Sequence, residues 1–157
     1  MRDIRLLLDN IRSVHNVGSI FRTAETLGIS KIYCLGTTPV PVDRFGRKRK
    51  DFSKVSLGAE EMVAWEHITD SKALLKQLKK EGFEVVSLEQ SDDSIDYKEV
   101  DVKPRTLIIF GNEVEGVTKE LLEVSDVKAE IPHVGKKESL NVSVAGAVFL
   151  YRLLDNL

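Results

Sequence analysis

Three stretches of this sequence combine glycine with side chains able to hold or polarise a small ligand: RSVHNVGSIFRTAETLG (residues 12–28), FGNEVEGV (110–117) and IPHVGKKESLNVSVAG (131–146). Each follows or flanks an apolar run of strand character, and in an open α/β sheet the loops at the strand carboxyl ends form the ligand crevice. The three are therefore expected to converge. In the first stretch Val17, Ile20, Phe21, Ala24 and Leu27 recur at helical spacing and account for one packed face. Arg22 lies off that stripe, on the side of Gly18 and near Glu25, and packing gives no reason for it.

Several other chemistries are excluded. Gly111 and Gly116 have phosphate-loop spacing, yet Val117-Thr118 follows where Lys-Ser or Lys-Thr is needed. A G-x-G-x-x-G dinucleotide turn is absent. His15, His67 and His133 are scattered without partner cysteines or an H-E-x-x-H pattern, so each reads as a surface or loop histidine and no metal is expected. The single cysteine, Cys34, sits inside the apolar run KIYCLG and reads as a buried, reduced thiol rather than a nucleophile.

One further stretch carries charge. DRFGRKRKDFSK (43–54) gathers Arg44, Arg47, Lys48, Arg49, Lys50 and Lys54 without helical or strand periodicity, and interleaves Phe45 and Phe52. Basic side chains neutralise phosphates while aromatics stack on splayed bases, which is the chemistry of single-stranded RNA contact. A solvated, mobile loop is the other reading of the same charges. The net charge of −2 argues against holding nucleic acid by bulk charge, so such a partner must be met by this local patch.

The elements that must position these residues alternate. Strands are expected at Ile4–Leu8, in KIYCLG, in FEVVSLEQ, in TLIIFGNE and in VKAEIPH. Helices are expected from Val17, capped by Asn16, to about Leu27 with Gly28 as the stop; around GAEEMVAWEHI; in DSKALLKQLKKEG; and in TKELLEVSD. The tail SLNVSVAGAVFLYRLLDNL is helical in length and apolar on nearly every face from Val142 to Leu154, which predicts cover on two sides, most simply by a second subunit. The pattern implies an α/β class with a mostly parallel sheet flanked by helices. The 157 residues, 42% hydrophobic and 31% charged, read as one soluble globular domain over 1–157. No eighteen-residue apolar run or signal-peptide core occurs, so neither a membrane span nor secretion is expected, and the location is cytoplasmic.

Taken in order and with their spacing, the three glycine-bearing stretches resemble the motifs of the SpoU, or TrmH-like, family of RNA ribose 2′-O-methyltransferases in the SPOUT superfamily. The likeness runs from Asn16 to Tyr151. It implies a SPOUT fold whose carboxyl-terminal part is threaded into a deep trefoil knot, a bound S-adenosyl-L-methionine, and a homodimer through the C-terminal helix. It implies an enzyme acting on RNA, with tRNA as the first expectation and rRNA the second. A non-catalytic RNA-binding protein that retains the fold is the alternative. Residues 1–157 contain none of the RNA-binding extensions that many relatives carry, so the core and Arg44, Arg47, Lys48, Arg49 and Lys50 are expected to find the RNA.

By the same resemblance Arg22 matches the catalytic arginine of the first motif, beside Asn16. Glu113 matches the acidic residue of the second motif, and Ser139 and Asn141 the polar pair of the third. Cofactor contacts fall near Leu88, Gly111, Ile131, Leu140 and Ser139. Arg22 either takes the ribose proton or steadies the alkoxide electrostatically; Asn16 either orients it or caps the helix; Glu113 holds Arg22, Asn141 or the ribose, the other reading being a plain loop carboxylate. Ser139 is also a candidate N-cap for the last helix, with Asn141 a first-turn residue bonding backbone. Trp65 and Tyr151 read as core or interface residues in helical contexts. Glu115, Lys136 and Lys137 read as solvated charge. Two departures are visible: His133 stands where methionine is common, and Gly146 where alanine is usual, which loosens the last helix slightly.

Overall fold

Leu6, Leu7 and Leu8 form an unbroken apolar run because both faces of their strand are covered. Successive side chains point to opposite sides of a sheet, so Leu6 and Leu8 pack with Phe21, Phe52 and Phe149, while Leu7 packs with Leu75, Leu78 and Leu121. The computed structural model describes residues 2–155. Its strands are β1 (Asp3–Asp9), β2 (Lys31–Leu35), β3 (Ala64–Ile68), β4 (Glu84–Leu88), β5 (Ile95–Asp96), β6 (Arg105–Phe110) and β7 (Val127–Glu130). They lie in the order β3-β2-β1-β6-β4-β7-β5, and all six neighbouring pairs are parallel. The expected α/β class is borne out.

The helices are α1 (Val14–Thr26), α2 (Lys50–Ser56), α3 (Ala59–Met62), α4 (Ser71–Lys80), α5 (Lys119–Val124) and α6 (Val142–Leu154). On one face α1 and α6 cover β1, β4 and β6 through Phe21, Ala24, Phe149 and Leu150. On the other, α4 and α5 supply Leu75, Leu78 and Leu121. Asn156 and Leu157, the end of the expected tail helix, lie outside the described residues.

Several local expectations are corrected. Helix α1 starts at Val14, and its N-cap is Ser13, whose Oγ accepts from Asn16 N at 3.1 Å. Asn16 is therefore inside the first turn, with its side chain released for other work. Only Ala59–Met62 is helical in GAEEMVAWEHI; Trp65 lies on β3, an edge strand pairing with β2, where an exposed polar face hid the strand pattern. The two-residue β5 and the 3₁₀ turn at Tyr97–Glu99 carry too little periodicity to be read from sequence. The N-cap of α6 is Asn141, not Ser139, with Asn141 Oδ1 accepting from Ser143 N at 2.9 Å.

Within the basic stretch an isolated antiparallel bridge joins Val42 to Lys48, and α2 begins at Lys50. The basic loop is thus an ordered turn, and its last part, from Lys50, is helical. Phe52 is fully buried, edge-on to Phe21 with ring centroids 5.1 Å apart, so it serves the core and is withdrawn from any base-stacking role. Cys34 is buried on β2, and burial pushes its thiol up to about 12, out of range for a nucleophile at neutral pH.

Candidate active site

The carboxyl ends of β1, β4, β6 and β7 release the segments that carry the polar motifs. A cleft of about 490 Å³ opens there, a size suited to a nucleoside-like ligand. Leu88, Gly111, Ile131, Ser139 and Leu140, all expected near the cofactor, line it together, and so does Glu113. Arg22, Asn16 and Asn141 do not.

The floor of the cleft is the segment after β6. Asn112 and Gly116 exchange backbone hydrogen bonds at 3.0 Å in each direction, closing a tight turn. Asn112 Oδ1 accepts from Val114 N and Glu115 N, at 2.9 and 3.0 Å, and its Nδ2 donates to Asn10 O at 2.6 Å. Two acidic residues outside the motifs complete the anchorage: Glu89 accepts from Val117 N, and Asp9 from Thr118 N, each at 2.7 Å. A Cβ on Gly116, which has φ +71°, would collide with Glu89 Oε2, and one on Gly111 would collide with the returning chain at Val117 N. These glycines let the turn close against its own strand and against Glu89. Asp9 and Glu89 were not singled out from sequence; their signal was an acidic residue closing an apolar strand, in LLLD and VVSLE.

Glu113 ties this turn to α1. Its Oε1 accepts from Ser13 N and from Asn16 Nδ2, both at 3.1 Å, and its Oε2 from Arg12 N at 3.2 Å. Burial raises its pKa, but the hydrogen bonds from backbone amides and from Asn16 outweigh that, leaving it below the ordinary glutamate range. Asn141 Nδ2 in turn donates to Asn16 Oδ1 at 3.0 Å. One chain of hydrogen bonds thus joins a residue from each motif, Asn141 to Asn16 to Glu113.

Arg22 stands apart. It is exposed, lies about 9 Å further along α1 than Asn16 by helical rise, and its side chain makes no hydrogen bond or ion pair among the described residues. Glu113 holds Asn16 and the start of α1, and it does not hold Arg22.

The charge of the cleft narrows its ligand. Five carboxylates line it, from Glu89, Glu113, Glu115, Glu130 and Glu138, and no lysine or arginine does among the described residues. Phosphate-bearing ligands are repelled by such a wall, whereas a ligand with a fixed positive charge and an apolar body is matched. Leu88, Ile131, Leu140 and Val142 supply the apolar side. S-adenosylmethionine, a sulfonium with an adenosyl body, fits these residues.

A parallel α/β sheet with a cleft at its strand carboxyl ends, walled by carboxylates and apolar side chains, has the lining of a site for a small ligand that carries positive charge on an apolar body. Residues 3–151 match the SpoU rRNA Methylase family, and the chain belongs to it. It is 32% identical over 150 residues to the tRNA (guanosine(18)-2′-O)-methyltransferase of Aquifex aeolicus, covering 96% of this chain and 68% of that protein. Against the enzyme of the same name from Thermus thermophilus it is 33% identical over 95% of this chain and 73% of that one. Among solved structures, an AdoMet-bound rRNA methyltransferase from Sinorhizobium meliloti superposes with a TM-score of 0.87 at 26% identity, over 99% of this chain and 57% of that chain.

Proposed function

We propose that the protein is an S-adenosyl-L-methionine-dependent RNA methyltransferase that modifies a ribose 2′-hydroxyl in tRNA, with residues 1–157 acting as one SPOUT domain. The observation that carries this reading is the acidic cleft lined by Leu88, Gly111, Ile131, Ser139 and Leu140. The names of the Aquifex and Thermus relatives support tRNA as the substrate class, and the Sinorhizobium enzyme makes rRNA the second. Arg44, Arg47, Lys48, Arg49 and Lys50 meet the RNA in this reading. A knotted carboxyl-terminal segment and a cytoplasmic location go with it. So does a homodimer through α6, which is supported by an outer face where Val144, Val148 and Tyr151 are exposed at i, i+4, i+7 spacing.

Bound S-adenosylmethionine supplies an electrophilic methyl group, so the chain has two tasks: aligning the ribose oxygen and easing the loss of its proton. Glu113 is a poor base, because its oxygens already accept three hydrogen bonds and its pKa is lowered. It fixes Asn16, and through Asn16 it orients Asn141 at the head of α6. Arg22 is a cation of the first motif with no side-chain partner among the described residues, and a guanidinium keeps its proton to above about pH 12. Its task is to steady the developing alkoxide while the proton leaves to water or a phosphate oxygen.

The test uses purified protein, S-adenosylmethionine labelled in its methyl group, and unmodified tRNA and rRNA transcripts. Label on a ribose of tRNA is the expected result. Label on a base, or none on either RNA, sinks the reading.

A further inference from the structure

The turn before α2 is built to hold one aromatic ring in the open. Asp43 Oδ1 accepts from Phe45 N at 2.8 Å and Arg47 N at 3.0 Å, while Asp43 N donates to Arg47 O at 2.8 Å. Arg49 N donates to Pro41 O at 2.9 Å, and the Val42–Lys48 bridge closes the base of the turn. The hydrogen bond from Arg47 N, with others from its side chain and from Phe45 N, holds the Asp43 carboxyl below its usual range, so the turn stays tied at neutral pH.

At the tip Phe45 is 66% exposed, the largest aromatic surface that the turn offers to a partner. Two guanidinium groups lie over it, Arg44 at 4.7 Å and Arg47 at 5.0 Å from the ring centre. They differ in freedom. Arg47 Nε is bound to Asp43 Oδ2 at 2.8 Å, whereas Arg44 has no hydrogen-bond or ion-pair partner among the described residues. Lys48 is paired with Glu61, and Arg49 with Asp51, which leaves Arg44, Lys50 and Lys54 as the cations of this segment without a partner among the described residues.

Helix α2, which follows the turn, packs on α1. A Cβ at Gly18 would lie 2.9 Å from Val55 Cβ of α2, so the two helices touch there without side-chain bulk. Arg22 is one helical turn beyond Gly18 on the same side of α1.

We propose that Phe45 is a stacking platform for one unpaired base of the RNA substrate, and that the base takes the place of Arg44 on the ring while Arg44 turns to a neighbouring phosphate. This rests on the functional reading above and deepens it by naming how the RNA is held. An aromatic platform with mobile cations at its edge suits a looped or single-stranded segment, whose bases can be splayed out. It does not suit a paired helix, whose bases are stacked away. Arg47, tethered to Asp43, keeps the platform in place.

The experiment compares wild type with Phe45→Ala, Phe45→Leu and Phe45→Tyr. It measures the Kd for an unmodified tRNA transcript and for a fully paired RNA duplex by fluorescence anisotropy, with the Kd for S-adenosylmethionine by calorimetry as the check on folding. The ring is on the surface, so cofactor affinity is expected to stay at the wild-type value. Loss of the ring is expected to weaken tRNA binding about tenfold in both Phe45→Ala and Phe45→Leu, with duplex binding unchanged and Phe45→Tyr close to wild type. Unchanged tRNA affinity in Phe45→Ala, in a protein that methylates tRNA, overturns this inference alone. A wild-type protein that neither binds nor methylates tRNA overturns the functional reading and the platform with it.

Discussion

Asn141 Nδ2 donates to Asn16 Oδ1 across 3.0 Å, although 125 residues of chain separate the two. Asn16 can accept there only because its Nδ2 faces the Glu113 carboxylate, 3.1 Å away. The carboxylate is acceptor-only, so it sets the orientation of the Asn16 amide, which in turn sets that of Asn141. Asn141 Oδ1 is thereby turned to Ser143 N and Val144 N and caps α6.

Replacing one atom reverses this order. Asn16→Asp keeps the shape but sets a second carboxylate against Glu113 in a buried position. At pH 7 we expect a loss of about 1–3 kcal/mol, read as a lower urea midpoint. Part of it should return as the pH is lowered and one of the paired carboxylates takes a proton. A midpoint equal to wild type at pH 7 would show that the chain of hydrogen bonds does not order the three motif loops.

Glu113 predicts a pH dependence of its own. Its folded pKa lies below the ordinary glutamate value of about 4.3, so the unfolded chain binds the proton more readily. The stabilisation is therefore complete above that value and is lost as pH falls through the lower folded value. Glu113→Gln should be less stable than wild type at pH 7, with the gap closing in acid. A gap that stays constant from pH 7 to pH 3 would remove the carboxylate's charge from the account.

Periodicity made the elements around this site legible. The stripe Val17–Leu27 marks α1, and the apolar runs closed by Asp9 and Phe110 mark two strands that deliver motif loops. What it could not show was which residues of those loops meet. The partners of Glu113 are 97 to 101 positions away, and two of the three are backbone amides, which leave no side-chain signature. The turn at Asp43–Arg47 was illegible for a related reason, since one aspartate organises it and no repeating pattern does. Helix and strand could not be told apart at Ala64–Ile68, because this edge strand is only partly covered.

Gly146 was expected only to loosen α6. A Cβ there would lie 2.9 Å from Phe110 Cε2 and 3.1 Å from Cζ, and the Phe110 ring is buried at the end of β6, where it lines the cleft. The glycine is what lets α6 approach the sheet. For Gly146→Ala, the gain in helix propensity of about 1 kcal/mol opposes an overpacking cost of about 1–3 kcal/mol. The net expectation is a loss of up to about 2 kcal/mol in denaturant unfolding, with weaker S-adenosylmethionine binding by calorimetry. A variant that gains stability would show that Phe110 yields freely.

Arg22 remains the residue that packing does not explain. It is exposed, unpaired among the described residues, and outside the hydrogen-bonded chain that runs from Asn141 through Asn16 to Glu113. Arg22→Ala should therefore unfold at the wild-type midpoint and bind S-adenosylmethionine with unchanged affinity. Methyl transfer to tRNA should fall by at least about a hundredfold, the usual loss when one group that stabilises developing charge is removed. Arg22→Lys separates charge from shape: an ammonium keeps the positive charge without the planar fork. If Arg22 steadies the alkoxide by charge, the lysine variant recovers much of the rate that alanine loses; if it clamps ribose and phosphate together, lysine fails as alanine does. An alanine variant with the wild-type transfer rate would take Arg22 out of the reaction.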